Sequence, residues 1–309
     1  MTKIKKILFL YANQLLHYLR RPLFFFDIWA SKGRLNWMPD KWYLSLMFRS
    51  KMGYWMNWKE PKTFNEKLQW LKLHDRNPLY TNLVDKYEVR KYIAEKIGNE
   101  HLIPLLGVWD SPDEIDFINL PNQFVLKCTH DSASVIICKD KTLFNIEDAK
   151  KKLRLHMSIN YYYPSREWPY KNIKPRIIVE KYMTNYDNSD LNDYKFQIFN
   201  GKFQNCFVCS NRFSPSGLHV TFFDSTWNIL DFTKYYPKET SPLKKPVFFN
   251  EMVKTSELLA KDFPFTRVDF YETNSNFYIG ELTFYPGAGF EKFTPTEWDL
   301  KFGSLLKIK

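Results

Sequence analysis

The sequence predicts an α+β protein, with antiparallel sheets and separate helices in one chain of 309 residues. The first observation is a set of hairpin signals, of which Asn200-Gly201 between two alternating runs is the strongest. The second is a capped amphipathic helix that starts at Thr63. Strands mixed with separate helices in this way indicate two sheets with a ligand site between them.

The ends of the helices can be recognised in the sequence. Thr63-Phe64-Asn65-Glu66 is a capping box. In this motif the Thr63 side chain accepts a hydrogen bond from the backbone N–H of Glu66, and the Glu66 side chain accepts one from the backbone N–H of Thr63. Phe64, Leu68 and Leu71 then share one face of the helix that follows. Three further helices are predicted, over residues 82–97, 145–156 and 250–262.

The strands of the middle third surround a polar loop. Phe124-Val125-Leu126-Lys127 and Val135-Ile136-Ile137-Cys138 flank Cys128 to Ser134. A strand, loop and strand with a lysine at the loop edge is typical of a hairpin lid over nucleotide phosphates. Other strands are predicted at residues 103–109, 176–183 and 193–199.

Two acidic residues near the C-terminus, Asp269 and Glu281, flank the turn-rich stretch 272–276. Folding the chain about this turn brings the two carboxylates opposite each other, at about 5 Å. Such a pair repels unless a cation lies between its members. Oxygen ligands beside Arg267 suit Mg²⁺ that holds phosphates. The alternative is two solvated acids on an exposed strand face.

Two lysines are candidate phosphate ligands. Lys127 ends the strand before the polar loop, and Lys195 lies on the strand that leads into Asn200-Gly201. Each lysine alone also fits a solvated strand end. The order of lid, buried strand, hairpin and acid pair is a more specific signal than any one of them.

The strings Lys62-Thr63-Phe64-Asn65-Glu66-Lys67-Leu68 and Gly280-Glu281-Leu282-Thr283-Phe284, with Glu180-Lys181-Tyr182 and Asp193-Tyr194-Lys195-Phe196 between them, resemble a known family. The chain from about Trp42 onwards is similar to the TupA-like group of ATP-grasp ligases. That group occurs among bacterial cell-surface polysaccharide genes, and its relatives often carry the label glycosyltransferase.

The resemblance implies a role for each candidate residue. Arg267 and Lys195 are the implied catalytic residues, Arg267 steadying the transferred phosphoryl group and Lys195 reaching a phosphate. Asp269 and Glu281 are the implied Mg²⁺ ligands. The implied ATP-binding residues are Lys127 at the α- and β-phosphates, Ser132 in the lid loop, Glu180 and the backbone of Lys181 to Met183 at the adenine, and Lys195.

The resemblance also implies a reaction. A ligase of this kind uses ATP to convert a carboxylate into an acyl phosphate, which an amine attacks to form an amide. The implied substrates are a uronic acid of a cell-surface polysaccharide or lipid-linked glycan and an amino acid or other amine. The implied location is cytoplasmic, peripheral at the inner face of the bacterial membrane.

The lid loop departs from the family pattern. Asp131 and Ala133 stand where glycines are usual, and Thr283 stands where an asparagine often follows the metal-binding glutamate. Glycine lets backbone amides approach phosphate closely. A negative charge in the loop predicts repulsion of a polyphosphate, and hence weaker binding of ATP.

The charge of the chain is concentrated near its N-terminus. The net charge is +11, and residues 1–60 hold eleven Lys/Arg and three Asp/Glu. Residues 4–19 repeat apolar positions at a helical period, too briefly to span a bilayer and without a signal-peptide cleavage pattern. A basic amphipathic helix followed by Trp29, Trp37 and Trp42 predicts an anionic membrane surface as a partner. The alternative is a helix packed on the core.

The predicted organisation has four parts. Residues 1–40 form the basic membrane-surface arm, 41–119 an N-terminal helical domain, 120–180 the small lid subdomain, and 181–309 the C-terminal subdomain with the metal site. Cys206 and Cys209 fall on a strand and are predicted to be buried thiols, because alternate faces cannot form one zinc site.

Two other functions stay open. A glycosyltransferase of capsular or O-antigen polysaccharide synthesis is the main alternative, although the chain has no Asp-x-Asp motif and no Gly-rich strand–loop–helix unit. A non-catalytic glycan-binding protein is the second, favoured by Asp131 and Ala133. No nucleic-acid motif accompanies the positive charge, so nucleic acid is not an expected partner.

Overall fold

The computed structural model describes residues 23–132, 134–184, 191–211, 214 and 217–308. Its helices are α1 (Phe24–Ser31), α2 (Asp40–Met52), α3 (Phe64–His74), α4 (Leu79–Val84), α5 (Val89–Ile97), α6 (Ile146–Met157), α7 (Tyr162–Ser165), α8 (Phe249–Ala260) and α9 (Glu297–Leu305). Its strands are β1 (Leu105–Trp109), β2 (Phe124–Cys128), β3 (Ile136–Cys138), β4 (Ile177–Lys181), β5 (Asp193–Phe199), β6 (Lys202–Ser210), β7 (His219–Phe223), β8 (Phe265–Glu272) and β9 (Phe277–Thr283).

The described strands form two antiparallel sheets, which confirms the predicted α+β class. The small sheet has the order β1-β4-β2-β3 and the large sheet the order β7-β6-β5-β8-β9. Both sheets are built from hairpins and their neighbours, so each strand runs opposite to the strands beside it.

The large sheet has one apolar and one polar face. Phe196 and Val268 alternate with their neighbours and point into the main hydrophobic core, where α8 packs against β5, β6 and β8. Lys195 and Asp269, one residue away along the same strands, lie on the other face. The alternation of apolar and charged residues therefore presents a row of charge toward the small sheet.

The hairpin predicted at Asn200-Gly201 is confirmed. The two residues join β5 to β6, and their φ angles are +49° and +74°. Positive φ at both central positions is what a two-residue turn of this kind requires, and asparagine and glycine tolerate it best. The predicted capping box is confirmed too, with Thr63 and Glu66 bonded to each other's backbone N–H.

The helix predicted over residues 82–97 is interrupted near its start, although residues 82–84 and 89–97 are helical as predicted. The chain forms α4 and α5 instead, with a break at Asp85 to Glu88. The Asp85 carboxylate accepts bonds from the backbone N–H groups of Tyr87 (2.8 Å) and Glu88 (3.1 Å), which competes with a continuous helix. Lys86 then donates its backbone N–H to the Thr129 carbonyl (3.0 Å) and leaves the helix surface.

Helix α9 was not predicted from the sequence. It packs on α3, where the Asp299 carboxylate accepts bonds from the Asn65 backbone N–H (3.0 Å) and side-chain amide (2.9 Å). Gly303 faces the backbone at the start of α3, and a β-carbon there would lie 2.0 Å from the Lys62 carbonyl oxygen. Close contact between distant parts of the chain, rather than a local pattern, therefore stabilises this helix.

The amphipathic segment predicted over residues 4–19 lies outside the described residues. The described part begins just before α1, whose Ala30 packs in a small cluster with Leu35, Tyr43 and Met47. Among the described helices, none has both the length and the apolar character needed to cross a bilayer.

Candidate active site

A cavity of about 1040 Å³ lies between the two sheets. The small sheet contributes side chains from β2 and β4, and the large sheet contributes side chains from β5, β8 and β9. Eight of the nine site residues predicted from the sequence line it: Lys127, Ser132, Glu180, Lys181, Met183, Lys195, Asp269 and Glu281. The ninth, Arg267, adjoins the cavity through hydrogen bonds to Asp269 and Glu281.

A β-bulge puts the two acids opposite each other. Near the turn Phe270 pairs with Ile279, and a regular ladder would next pair Asp269 with Gly280. That register would turn Glu281 toward the core face. Gly280 is instead the extra residue of the bulge, so Asp269 pairs with Glu281. A β-carbon at Gly280 would lie 2.9 Å from the Tyr271 ring, which accounts for glycine here.

Two cations hold this acid pair. Arg267 donates from Nε to Asp269 Oδ1 (2.6 Å) and from Nη2 to both Asp269 Oδ2 and Glu281 Oε1 (2.8 Å each). Lys195 bonds the same Asp269 carboxylate and lies 2.9 Å from Asp193. The predicted catalytic and metal-binding residues thus form one hydrogen-bonded array.

The two acids differ in their readiness to ionise. Burial raises the pKa of Asp269 to about 6. The positive charges of Arg267 and Lys195 act to lower this pKa, whereas the negative charges of Glu281 and Asp193 act to raise it. Burial also opposes the charge on Glu281, but Arg267, Lys86 and Lys195 outweigh it and lower that pKa to about 2. Glu281 is therefore the more firmly ionised member of the pair.

Lys127 enters the cavity from the small sheet with a partner of its own. Its Nζ lies 2.6 Å from Glu180 Oε2, and Arg90 on α5 approaches the other oxygen of Glu180 at 3.4 Å. The three side chains are largely buried. Glu180, which the family resemblance assigns to the adenine, holds the direction of Lys127 in this arrangement.

The lid loop is anchored by Asp131. Its carboxylate accepts a bond from Ser134 Oγ (2.5 Å) and lies 2.6 Å from His156 Nδ1 on α6, and Lys86 donates to its backbone carbonyl. The side chain is buried and is not part of the cavity wall. This differs from the expectation that Asp131 would face a polyphosphate; Ala133 lies outside the described residues.

Comparison with protein families decides the identity of the fold. The family described as TupA-like ATPgrasp matches residues 66–307. The chain belongs to the TupA-like ATP-grasp family. This confirms the resemblance given by the sequence strings, and the two antiparallel sheets with the cavity between them are the ATP-grasp core of the chain.

The solved structures that are similar to this chain have low sequence identity to it. D-alanine–D-alanine ligase from Helicobacter pylori is 14% identical, with a TM-score of 0.42 over 79% of this chain and 69% of that chain. D-cycloserine synthetase DcsG is 14% identical, with a TM-score of 0.39 over 74% and 72%. The ATP complex of D-alanine–D-alanine ligase from Bacillus anthracis is 16% identical, with a TM-score of 0.38 over 65% and 55%, so this chain spans about half of that ligase. No curated protein sequence matches the chain.

The donor set of this ATP-grasp chain fits Mg²⁺ together with phosphates. Asp269 and Glu281 supply hard carboxylate oxygens, and the Glu281 side chain keeps 31% of its surface exposed. Among the described residues no three His, Cys, Asp or Glu side chains gather into a complete metal cluster. Mg²⁺ commonly takes one or two carboxylates and completes its shell with substrate phosphates and water, so a two-acid site is adequate.

Two acidic residues of the cavity wall, Asp193 and Glu239, were not among the site residues predicted from the sequence. Asp193 lies two positions before Lys195 on β5, and the period of a strand could have placed both on one face. Glu239 follows a long irregular stretch and accepts bonds from Ser210 Oγ (2.8 Å) and the backbone of Thr240 (3.0 Å). No periodic signal in the sequence points to Glu239.

Proposed function

We propose that this protein is an ATP-dependent carboxylate–amine ligase. The proposal depends on one observation: Asp269 and Glu281 lie opposite each other, bridged by Arg267, on the wall of a cavity that also receives Lys127 from the other sheet. Membership of the TupA-like ATP-grasp family supports this function.

The proposed roles follow from charge and position. Lys127 and Ser132 of the lid, with Lys195 of the floor, bind the phosphates of ATP, whose negative charge they offset. Glu180 and the backbone from Lys181 to Met183 border the adenine end, where Val125, Ile137 and Leu243 add apolar surface. Asp269 and Glu281 hold Mg²⁺, and Arg267 steadies the phosphoryl group in transfer.

ATP, when bound, would supply the phosphoryl group that converts a carboxylate into an acyl phosphate, with ADP as the leaving group. An amine would then attack the acyl carbon to form the amide, and inorganic phosphate and a proton would be released. The protein contributes positioning and charge compensation, which dominate catalysis of phosphoryl transfer. Lys195 and Arg267 are largely buried, and their attraction for developing negative charge is stronger there than in water. The space between the sheets also limits the access of water to a reactive acyl group.

We propose a glycan as the source of the carboxylate. A uronic acid of a cell-surface polysaccharide or of a lipid-linked glycan is joined to an amino acid or another amine. The support is the family resemblance, since TupA-like proteins are associated with bacterial surface polysaccharides.

We further propose that the protein works at the cytoplasmic, inner face of the bacterial membrane. Trp29, Trp37, Trp42 and Trp55 are exposed in the described N-terminal region, where basic residues outnumber acidic ones. Tryptophan and lysine together favour the interface of an anionic bilayer. A lipid-linked substrate would account for this location.

The function is tested by product analysis. Purified protein is incubated with Mg·ATP, a panel of uronic acids and a panel of amino acids, and nucleotide release is measured by chromatography. We expect ADP release that requires both an acid and an amine, and an amide product in mass spectrometry. Release of UDP from UDP-sugars, without ADP, would favour the glycosyltransferase instead.

Variants of the acid pair make the test specific. Asp269→Asn and Glu281→Gln should each lower ADP release by at least about a hundredfold, because each removes a ligand charge from Mg²⁺. Glu95→Gln is the matched control, since Glu95 is an exposed partner of Lys91 on α5. Full activity in both acid variants would exclude the proposed metal site.

A further inference from the structure

The segment between α6 and β4 is attached to the N-terminal helices, which belong to neither sheet. The Tyr162 hydroxyl donates a hydrogen bond to the Asp40 carboxylate on α2 (2.5 Å). Lys72 on α3 donates to the carbonyl of Ser165 at 2.8 Å. Helices α2 and α3 therefore fix the position of this segment.

Arg166 holds the same segment in one conformation. This residue is 1% exposed, and its Nη2 donates to the Leu35 carbonyl (2.9 Å). The guanidinium carbon lies 4.1 Å from the centre of the Tyr43 ring. The backbone of Arg166 is in the left-handed region, with a φ angle of +56°. A residue other than glycine keeps such a conformation only where the surrounding structure determines it.

Tyr161, just before α7, extends from this segment to the lid loop. Its hydroxyl lies 2.6 Å from Ser132 Oγ, and its ring packs edge-on against Tyr170 with ring centres 5.0 Å apart. Ser132 is exposed and lines the main cavity, the space of about 1040 Å³ between the two sheets. The contact between the two hydroxyl groups therefore joins a loop of the cavity wall to a fixed part of the molecule.

The direction of this hydrogen bond follows from the proton of Tyr161. Burial, together with the negative charges of Glu167 and Glu281, raises the pKa of Tyr161 to about 12. Tyr161 therefore keeps its proton at neutral pH and donates it to Ser132 Oγ, because a phenol is a stronger donor than an aliphatic alcohol. A serine hydroxyl accepts and donates at the same time, so the proton of Ser132 is available to an acceptor in the cavity.

We propose that Tyr161 is a positioning residue for nucleotide binding, whose hydroxyl donates to Ser132 and thereby directs the Ser132 proton to a phosphate oxygen of ATP. Lys86 lines the cavity and donates to the carbonyl of Asp131, next to Ser132, which favours an anion at this position. A hydroxyl that accepts one hydrogen bond is polarised and donates a stronger one. The assignment rests on the ATP-dependent function proposed above and adds to it a residue that acts through Ser132.

Isothermal titration of the full-length protein with Mg·ATP tests this role. Tyr161→Phe removes only the hydroxyl and should weaken Mg·ATP binding by about fivefold, the effect of one neutral hydrogen bond. Ser132→Ala should weaken it by about tenfold, because a donor to the charged phosphate is lost. Adenosine, which has no phosphate, should bind to the wild type and both variants equally in saturation-transfer NMR.

Two results of these titrations would overturn the proposal. One is Mg·ATP binding by Tyr161→Phe that is as tight as that of the wild type. The other is an equal loss of affinity for Mg·ATP and for adenosine, since that would indicate a purely structural role. Tyr163→Phe is the matched control, because Tyr163 belongs to the same segment but does not line the main cavity.

A double variant shows whether Tyr161 acts through Ser132. If it does, Tyr161→Phe combined with Ser132→Ala should bind Mg·ATP about as weakly as Ser132→Ala alone. Independent effects would instead multiply to a loss of about fiftyfold, which would refute the positioning role. Ser132 is exposed, so its truncation leaves the core packing unchanged.

The product assay described above separates this proposal from the ligase function. If ADP release requires an acid and an amine but Tyr161→Phe binds Mg·ATP normally, the positioning role is wrong and the ligase function is untouched. If the variants behave as expected but no acid and amine lead to ADP release, the positioning role holds and the ligase function fails. A wild-type protein that does not bind Mg·ATP would overturn both.

Discussion

On the floor of the main cavity, positive and negative side chains alternate, so that each buried charge touches one of opposite sign. Lys195 lies between Asp193 and Asp269, and Arg267 joins Asp269 to Glu281. Buried charges are stable only when paired, and removal of one partner leaves the other uncompensated. The array therefore predicts the effect of removing any one of these side-chain charges.

Arg267→Met should lower the free energy of unfolding by about 3–5 kcal/mol in metal-free buffer, because it leaves two facing carboxylates without their shared cation. Mg²⁺ alone should then raise the Tm of the variant more than that of the wild type, since the ion takes over charge compensation. Scanning calorimetry with EDTA and with Mg²⁺ measures both effects. Arg267→Lys keeps the charge and should respond to Mg²⁺ like the wild type. Equal responses of Arg267→Met and the wild type would contradict the acid-pair metal site.

At the scale of elements, one buried lysine joins three segments. Lys72 on α3 donates hydrogen bonds to Gln69 Oε1 (3.0 Å) and to the carbonyls of Ser165 and Ala288 (2.8 Å each). Burial lowers the pKa of Lys72 to about 8, while Glu167 and Asp40 oppose the shift. The charge on this lysine is therefore less favourable in the folded chain than in the unfolded chain.

The sign of the resulting pH dependence follows from proton binding. An unfolded lysine has a pKa near 10.4, so between about pH 8 and pH 10.4 the unfolded chain binds more protons. The Lys72 contribution to the free energy of unfolding should increase by about 2 kcal/mol from pH 7.5 to pH 9.5. Urea denaturation of the wild type and Lys72→Met at both pH values gives this difference, and a difference that does not change with pH would refute it.

The lid loop is a second element whose behaviour depends on tertiary contacts. Asp131 stands where the family usually has glycine, and its carboxylate joins Ser134 and His156 inside the lid. Lys86, from the turn between α4 and α5, bonds the carbonyl of the same residue. Hydrogen bonds from Ser134, His156 and Lys86 thus fix the conformation of this loop, which lacks the usual glycine at position 131.

Asp131→Gly restores the residue that is usual in the family and should weaken Mg·ATP binding. The sequence alone predicts the opposite, because a negative charge in the loop should repel the phosphates. The variant loses the anchors to Ser134 and His156, and we expect the free energy of unfolding to fall by about 1–3 kcal/mol. Isothermal titration with Mg·ATP and denaturation in urea test the two statements. Glu147→Ala, on the exposed part of α6, is a control for the subdomain. Tighter binding by Asp131→Gly would mean that Asp131 does repel the phosphates.

At the scale of the whole molecule, the proposed ligase function requires two sheets that face each other, and the proposed membrane location requires the basic N-terminal region. Lys127 and Glu180 come from one sheet, and Lys195, Asp269 and Glu281 come from the other. The first 21 residues carry five Lys/Arg and no Asp/Glu. That segment is outside the described residues, so its role is tested by deletion.

Deletion of residues 1–21 should weaken binding to vesicles that contain anionic lipid by about a hundredfold or more, because each basic residue near such a surface contributes about 1 kcal/mol. Mg·ATP should still raise the Tm of the truncated protein, since no cavity residue is removed. Flotation with anionic and with neutral vesicles measures the first effect. Unchanged flotation would contradict the membrane arm.

Local patterns were sufficient for much of the fold. The Asn200-Gly201 turn, the capping box at Thr63 and the strands around the lid depend on interactions between residues close in sequence, and each was predicted. The break at Asp85 and the helix α9 were not predicted. The break combines a local turn at the Asp85 carboxylate with a bond from Lys86 to the distant Thr129 carbonyl. Helix α9 depends on a distant partner, Asn65, for Asp299.

By itself the sequence determined the family, the α+β class and eight of the residues that line the cavity. Strand period and turn chemistry made this possible, because they decide which side chains share a face. Only the tertiary structure decided how those residues pair. The bulge at Gly280 aligns Asp269 with Glu281, Arg267 and Lys195 balance their charge, and Asp131 is buried within the lid. Register shifts and charge pairing arise from contacts between separate segments, so they cannot be predicted from the residue pattern of one segment.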